Sequence, residues 1–151
     1  MDVRMYAPFV ESFFEVLPDF GVKELKRGRL ALKDKLVAAA NVNVLVGLSQ
    51  DVRGNVAYSM TEGTARNIAS FVMGFPVGQL DEMAKSAVAE LANVLASRAA
   101  IILERGGLLV SISPPTLIAG KNVTLLSHVR ILAVEVFTGA GLIEANIGLE
   151  T

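Results

Sequence analysis

Ser86, Glu90, Asn93 and Ser97 recur at spacings of three and four residues in a stretch otherwise rich in Ala, Val and Leu. On a helix turning about 100° per residue they gather within an arc of about 60°. A carboxylate and an uncharged amide one turn apart then project together. The carboxylate can pair with a cation. The amide can donate and accept hydrogen bonds at once, so it can orient a water without adding charge. Ala84, Ala87, Val88, Leu91, Val94 and Leu95 fall on the other side and are expected to face the core. Ala89, Ala92 and Ala96 lie beside the polar stripe, where small side chains would let a partner surface approach closely. Arg98 falls toward the apolar side and fits neither face; its stem can snorkel.

Other chemistries find little support. The chain has no cysteine, hence no disulfide and no thiolate metal ligand. His128 is the single histidine, and no serine and acid stand at a spacing that suggests a nucleophilic triad. Gly106-Gly107 reads as a helix stop, not a phosphate loop, because no Gly-Lys-Ser/Thr follows. No metal constellation is visible. The net charge of −1, with mixed signs, argues against nucleic acid. Two Tyr, seven Phe and no Trp offer little for base stacking. No apolar run approaches the length of a membrane crossing, and the start Met1-Asp2-Val3-Arg4 lacks a signal-peptide layout. A cytoplasmic protein is the expectation.

The elements that must position the polar stripe follow from pattern. The 151 residues, 52% hydrophobic, suit one compact domain. Tyr6 to Leu17 has helical spacing, with Pro8 near the first turn and Pro18 and Gly21 as stops. Val22 to Ala31 alternates apolar and charged residues and reads as a short hairpin turning at Gly28. Val42 to Leu48 and Asn55 to Met60 read as a hairpin closed at Gly54. Thr61 caps a helix to Met73. The long helix runs from about Asp81 to Glu104. Leu108 to Ile112 reads as a buried strand, Pro114-Pro115 as a bend or edge. Leu117 to Ala119 and Val123 to Leu125 flank a turn at Gly120-Lys121. Val129 to Phe137, which His128 opens, and Leu142 to Leu149 form a final hairpin. Glu135 and Glu144 alternate with apolar neighbours and read as exposed strand positions. The fold class is α+β, a mostly antiparallel sheet with long helices packed on it. Two weakly similar units of about 1–78 and 79–151 are suggested by Phe9–Leu17 and Ala87–Leu95.

Ser86-Ala87-Val88-Ala89-Glu90-Leu91-Ala92-Asn93 resembles the [DS]-x-x-x-E-x-x-N pattern of the CheC/CheX/FliY chemotaxis phosphatases. In that family a proline follows at about twenty residues, and Pro114-Pro115 stand near that distance here. Ile112-Ser113-Pro114-Pro115-Thr116-Leu117, the opening helix and the length are similar to the CheX type, and the resemblance covers almost the whole chain.

By the helical pattern alone Glu90 and Asn93 are what any solvated helix face carries. The resemblance assigns them a task. It implies a CheC-like fold and a phosphatase acting on the aspartyl phosphate of a CheY-type response regulator. Asn93 would orient the attacking water. Glu90 would pair with the regulator's lysine and set the docking register, with Ser86, Ala89, Ala92 and Ser97 around them. Magnesium would belong to the partner, with no metal or cofactor held by this chain. The first unit offers Ser12 and Glu15 where the second has Glu90 and Asn93, which implies one active site. A homodimer is a further implication. The competing reading is a non-catalytic regulator-binding or dimerisation module of the same fold.

Overall fold

The computed structural model describes residues 2–34, 36–38, 40–121 and 123–150. In chain order the elements are α1 (Val3–Val16) and a 3-10 turn (Leu17–Phe20), then β1 (Lys26–Lys33), β2 (Leu36–Ala38), β3 (Val42–Gln50) and β4 (Gly54–Met60). Next come α2 (Glu62–Met73), α3 (Glu82–Arg105), β5 (Val110–Ile112), β6 (Thr116–Ala119), β7 (Thr124–Leu126), β8 (Ile131–Thr138) and β9 (Gly141–Leu149). One antiparallel sheet has the order β1-β8-β9-β4-β3, with both β5 and β6 on the outer side of β3. Exchanging β1, β3 and β4 with β6, β8 and β9 leaves this order unchanged. β2 and β7 pair separately as a two-stranded ribbon.

β5 and β6 are one sheet edge broken by Ser113-Pro114-Pro115. Proline offers no N–H to a ladder, so the edge cannot run straight through. Ser113 bridges the gap instead: its N–H donates to the Gly47 carbonyl at 2.9 Å, and its Oγ accepts from the Gly47 N–H at 2.7 Å.

The helices lie on one face of the sheet, with α1 and α2 both against α3. Each is capped by its sequence. Asp2, Thr61 and Asp81 accept from backbone N–H groups of the first turns of α1, α2 and α3. The core between the layers holds Phe9, Phe13, Tyr58, Ile68, Leu95 and Ile147, all essentially inaccessible. Arg98, the misfit of the long helix, is explained by its neighbour: its Nη1 donates to Glu15 Oε1 of α1 at 3.1 Å.

Burial pushes the Tyr58 phenol far above its ordinary 10.0, and its hydroxyl has no hydrogen-bond partner among the described residues. Tyr58→Phe is therefore expected to hold or raise stability near neutral pH, by about 1 kcal/mol. The alkaline sign follows from proton counting. Above about pH 10 the unfolded chain ionises this phenol while the folded chain does not, so the unfolded state binds fewer protons and stability falls as pH rises. The Phe variant should lose up to about 1.4 kcal/mol per pH unit of that slope. Urea midpoints on both sides of the transition test this; equal slopes for parent and variant would refute it.

Several expectations are corrected. Residues 22–31 form no hairpin: Lys26–Lys33 is one strand, paired to β8, with a register break between Arg27 and Leu30. Gly28 sits in that break because a Cβ there would strike the Phe137 ring. The partner strand lies about a hundred residues away, which local alternation cannot reveal. The first helix begins at Val3, so Pro8 lies inside it and removes one backbone donor. β5 is half exposed rather than buried. β6 and β7 do flank Gly120-Lys121, and β7 takes β2 as its partner. Glu135 and Glu144 are half buried: Glu135 Oε1 accepts from the Arg29 N–H at 3.0 Å, and Glu144 Oε1 meets Lys33 Nζ at 2.9 Å. Finally, α3 is by length and composition apolar enough to cross a bilayer: its 24 residues contain an 18-residue stretch with a mean hydropathy of 1.5. Polar residues interrupt every apolar run along it, and its apolar side packs on α1, α2 and the sheet.

Candidate functional site

α3 starts at Asp81, whose Oδ1 accepts from the Ala84 N–H at 2.9 Å. That cap sets the phase of the polar stripe. Ser86 and Glu90 are exposed, and Asn93 and Ser97 are half buried. Among the described residues, none of the four side chains makes a hydrogen bond or ion pair. A carboxylate and an amide one turn apart thus stand at the surface, uncommitted to their own fold.

The surround differs from the expectation. Ala89 is partly exposed, but Ala92 and Ala96 are only 2% and 0% exposed. They cannot border a docking face from the outside. The helix is flanked on its inner half by α1, α2 and the sheet, so its buried arc spans about 180° and takes in both alanines. The open flank is built from another element instead. A groove of about 520 Å³ runs between α3 and β6, with Lys85, Ser86 and Ala89 on one wall and Leu117, Ile118 and Ala119 on the other. The β6 wall was missed in the sequence. Its only signal was Pro114-Pro115, which breaks the edge so that Leu117–Ala119 restarts pairing with β3 beneath α3.

The first-half positions that align with Glu90 and Asn93 are engaged elsewhere. Ser12 is fully buried, its Oγ donating to the Phe9 carbonyl at 2.8 Å. Glu15 is held by Arg98. His128 is exposed in the bend before β8, three residues ahead of the strand it was expected to open. It lines a separate cavity with Asn55 and Asn146, on the sheet face away from α3.

Comparison with known proteins places this geometry. Residues 42–136 match the model of the family described as chemotaxis phosphatase CheX. The CheY-P phosphatase CheX of Thermotoga maritima is 32% identical over 133 residues, 87% of this chain and 86% of that protein. A CheC-like superfamily protein from Shewanella sp. PV-4 superposes with TM-score 0.86 at 26% identity, over 100% of each chain. The CheX of a CheX-CheY-BeF3-Mg+2 complex from Borrelia burgdorferi gives TM-score 0.78 at 27% identity, over 97% of each chain. Fold and site define a CheC-like α+β domain that offers a Glu/Asn pair from the outer face of its longest helix. Within that class, the chain belongs to the CheX family of chemotaxis phosphatases.

Proposed function

We propose that this protein hydrolyses the aspartyl phosphate of a CheY-like response regulator. The observation that carries the reading is the pair Glu90 and Asn93, the first exposed and the second half buried on the outer side of α3, with no hydrogen bond or ion pair among the described residues. An aspartyl phosphate is an acyl phosphate, so its carboxylate leaves readily. What it lacks is a water held in line with phosphorus. The Asn93 amide orients that water; its oxygen attacks phosphorus, the acyl P–O bond breaks, and inorganic phosphate and the free carboxylate result. The uncharged amide adds no negative charge beside the phosphoryl group. Glu90 pairs with the regulator's active-site lysine and fixes the docking register. Ser86, Ala89 and Ser97 shape the approach. Magnesium would be held by the regulator, where it would supply neutralisation of phosphoryl charge; this chain's residues are not its ligands in this reading.

Turnover tests this. At one part in fifty of a phosphorylated regulator, the protein is expected to release phosphate repeatedly, on the order of tens of turnovers before exhaustion. Saturation at one per regulator, with no shortening of the phosphoryl lifetime, would make it a binding module. The cytoplasm is the matching compartment. A homodimer is part of the same proposal: the β2–β7 ribbon stands outside the main sheet, with Leu126 81% exposed. Isolated two-stranded ribbons are marginal without further packing. A monomer in sedimentation equilibrium at micromolar concentration would remove that part.

A further inference from the structure

On the sheet face away from the helices, Asn43, Ser59 and Asn146 of β3, β4 and β9 are buried. They alternate with Val44, Tyr58 and Ala145, which face the core, so they form no part of it. A one-way chain of hydrogen bonds joins them. The Ala40 carbonyl can only accept, so it fixes the Asn43 amide with Nδ2 toward it, at 2.7 Å. Asn43 Oδ1 then accepts from Ser59 Oγ at 2.7 Å, and Ser59 Oγ accepts from Asn146 Nδ2 at 3.2 Å. Asn146 Nδ2 also donates to the Ala57 carbonyl at 3.4 Å. The donors of that amide are used, and its oxygen is left over: Asn146 Oδ1 is buried and meets no donor among the described residues. A buried amide oxygen in that state is uncommon in a folded protein.

The ladder fixes which way that oxygen faces. Along β9, Ser59 stands opposite Glu144, on one side of Asn146, while Asn55 and Ile131 flank Gly148 on the other. With Nδ2 turned toward Ser59, Oδ1 turns toward Asn55 and Ile131. There a cavity of about 380 Å³ lies between the sheet and residues 125–129, and Asn146 lines it. Leu45, Val129 and Ile131 make its apolar wall. The Asn55 amide and the Glu150 carboxylate also line it, and neither side chain is engaged in a hydrogen bond or ion pair among the described residues. His128 stands at the same cavity, but no Lys or Arg is among its described lining. The cavity is thus short of donors and carries one uncompensated carboxylate.

We propose that this cavity binds a small alkylammonium ion, its N–H groups donating to Asn146 Oδ1 and Glu150 and its aliphatic body lying on Leu45, Val129 and Ile131. An ammonium brings three donors and no acceptor, which is what this lining lacks. A carboxylate or phosphate would meet Glu150 and the amide oxygen with like sign. A lone water would serve Asn146 but leave Glu150 without a counter-charge and the apolar wall uncovered. The site lies across the sheet from Glu90 and Asn93 and does not rest on their assignment.

The probes are n-hexylammonium chloride and sodium hexanoate, which share an apolar body and differ in charge. Backbone and side-chain amide NMR shifts of the full chain read binding. The amine is expected to bind with a Kd on the order of 1 mM and to shift the Asn146 side-chain amide, and hexanoate to bind at least about tenfold more weakly. Glu150→Gln should weaken the amine about tenfold, with melting temperature and regulator dephosphorylation at parent values. Ala57→Leu, which fills the cavity floor, should abolish binding. Equal shifts from the two probes, shifts that survive Glu150→Gln unchanged, or no saturation at tens of millimolar amine would overturn the proposal. So would an amine that dissociates a dimer without moving Asn146, which would put a second copy rather than an amine at the cavity mouth.

Discussion

Asn93→Ala should reduce regulator dephosphorylation by about 100-fold or more, to the rate of the regulator alone, while the protein stays folded. The two halves of that expectation rest on different facts. Asn93 is half buried and makes no hydrogen bond within the described chain, so its loss leaves no orphaned partner. Alanine is also the better helix former, so stability should change by about 0.5 kcal/mol or less. The rate falls because no other uncharged group that both donates to and accepts from a water stands at that turn of the helix; the Ser86 hydroxyl is two turns back. Ser97 is one turn farther on, and Glu90 would bring charge rather than an amide. Asn93→Asp should be as inactive, since a second carboxylate beside the phosphoryl group repels it. Glu90→Ala should act differently, raising KM more than it lowers kcat, because a docking contact is made in ground and transition states alike. Phosphate release measured under steady-state conditions separates the cases. Turnover near the parent rate in Asn93→Ala, with an unchanged circular dichroism spectrum, would reject the assignment.

Phe13→Ala should cost about 3–5 kcal/mol of stability and lower the melting temperature by on the order of 10 °C. Phe13 is 0% exposed, and its ring meets that of Tyr58 at 5.8 Å between centroids, tilted by 57°. It anchors α1 to the sheet, and α1 is one of the two helices that brace α3. Truncation would leave a void that the surrounding Phe9, Tyr58 and sheet residues can fill only in part. The folded fraction should still dephosphorylate the regulator, because Phe13 touches neither Glu90 nor the groove beside it. A loss below about 1 kcal/mol in urea titration would mean that the core relaxes around the gap, and that α1 is less firmly seated than its burial indicates.

What could be read in the residues was what depends on near neighbours. The caps at Thr61 and Asp81, the stop at Gly106, and the hairpins at residues 51–54 and 138–141 lie within a few positions of the groups they satisfy. The same holds for the phase of Ser86, Glu90, Asn93 and Ser97 along α3: 3.6-residue periodicity is a property of one helix, and it placed the four on one arc. The resemblance to the chemotaxis phosphatases rested on this local spacing.

Contacts between distant segments decided the rest. Val22 to Ala31 reads as a hairpin turning at Gly28 until β8, about a hundred positions on, supplies the partner of Lys26–Lys33. Ala92 and Ala96 sit next to the polar stripe on a wheel, and only α1, α2 and the sheet determine that this flank is closed. The opposite wall of the groove comes from β6, whose place depends on pairing with β3 across a proline break. A helix carries its own hydrogen bonds and so announces its faces; a sheet borrows them from strands far along the chain, and which helix face stays open is settled when those strands assemble.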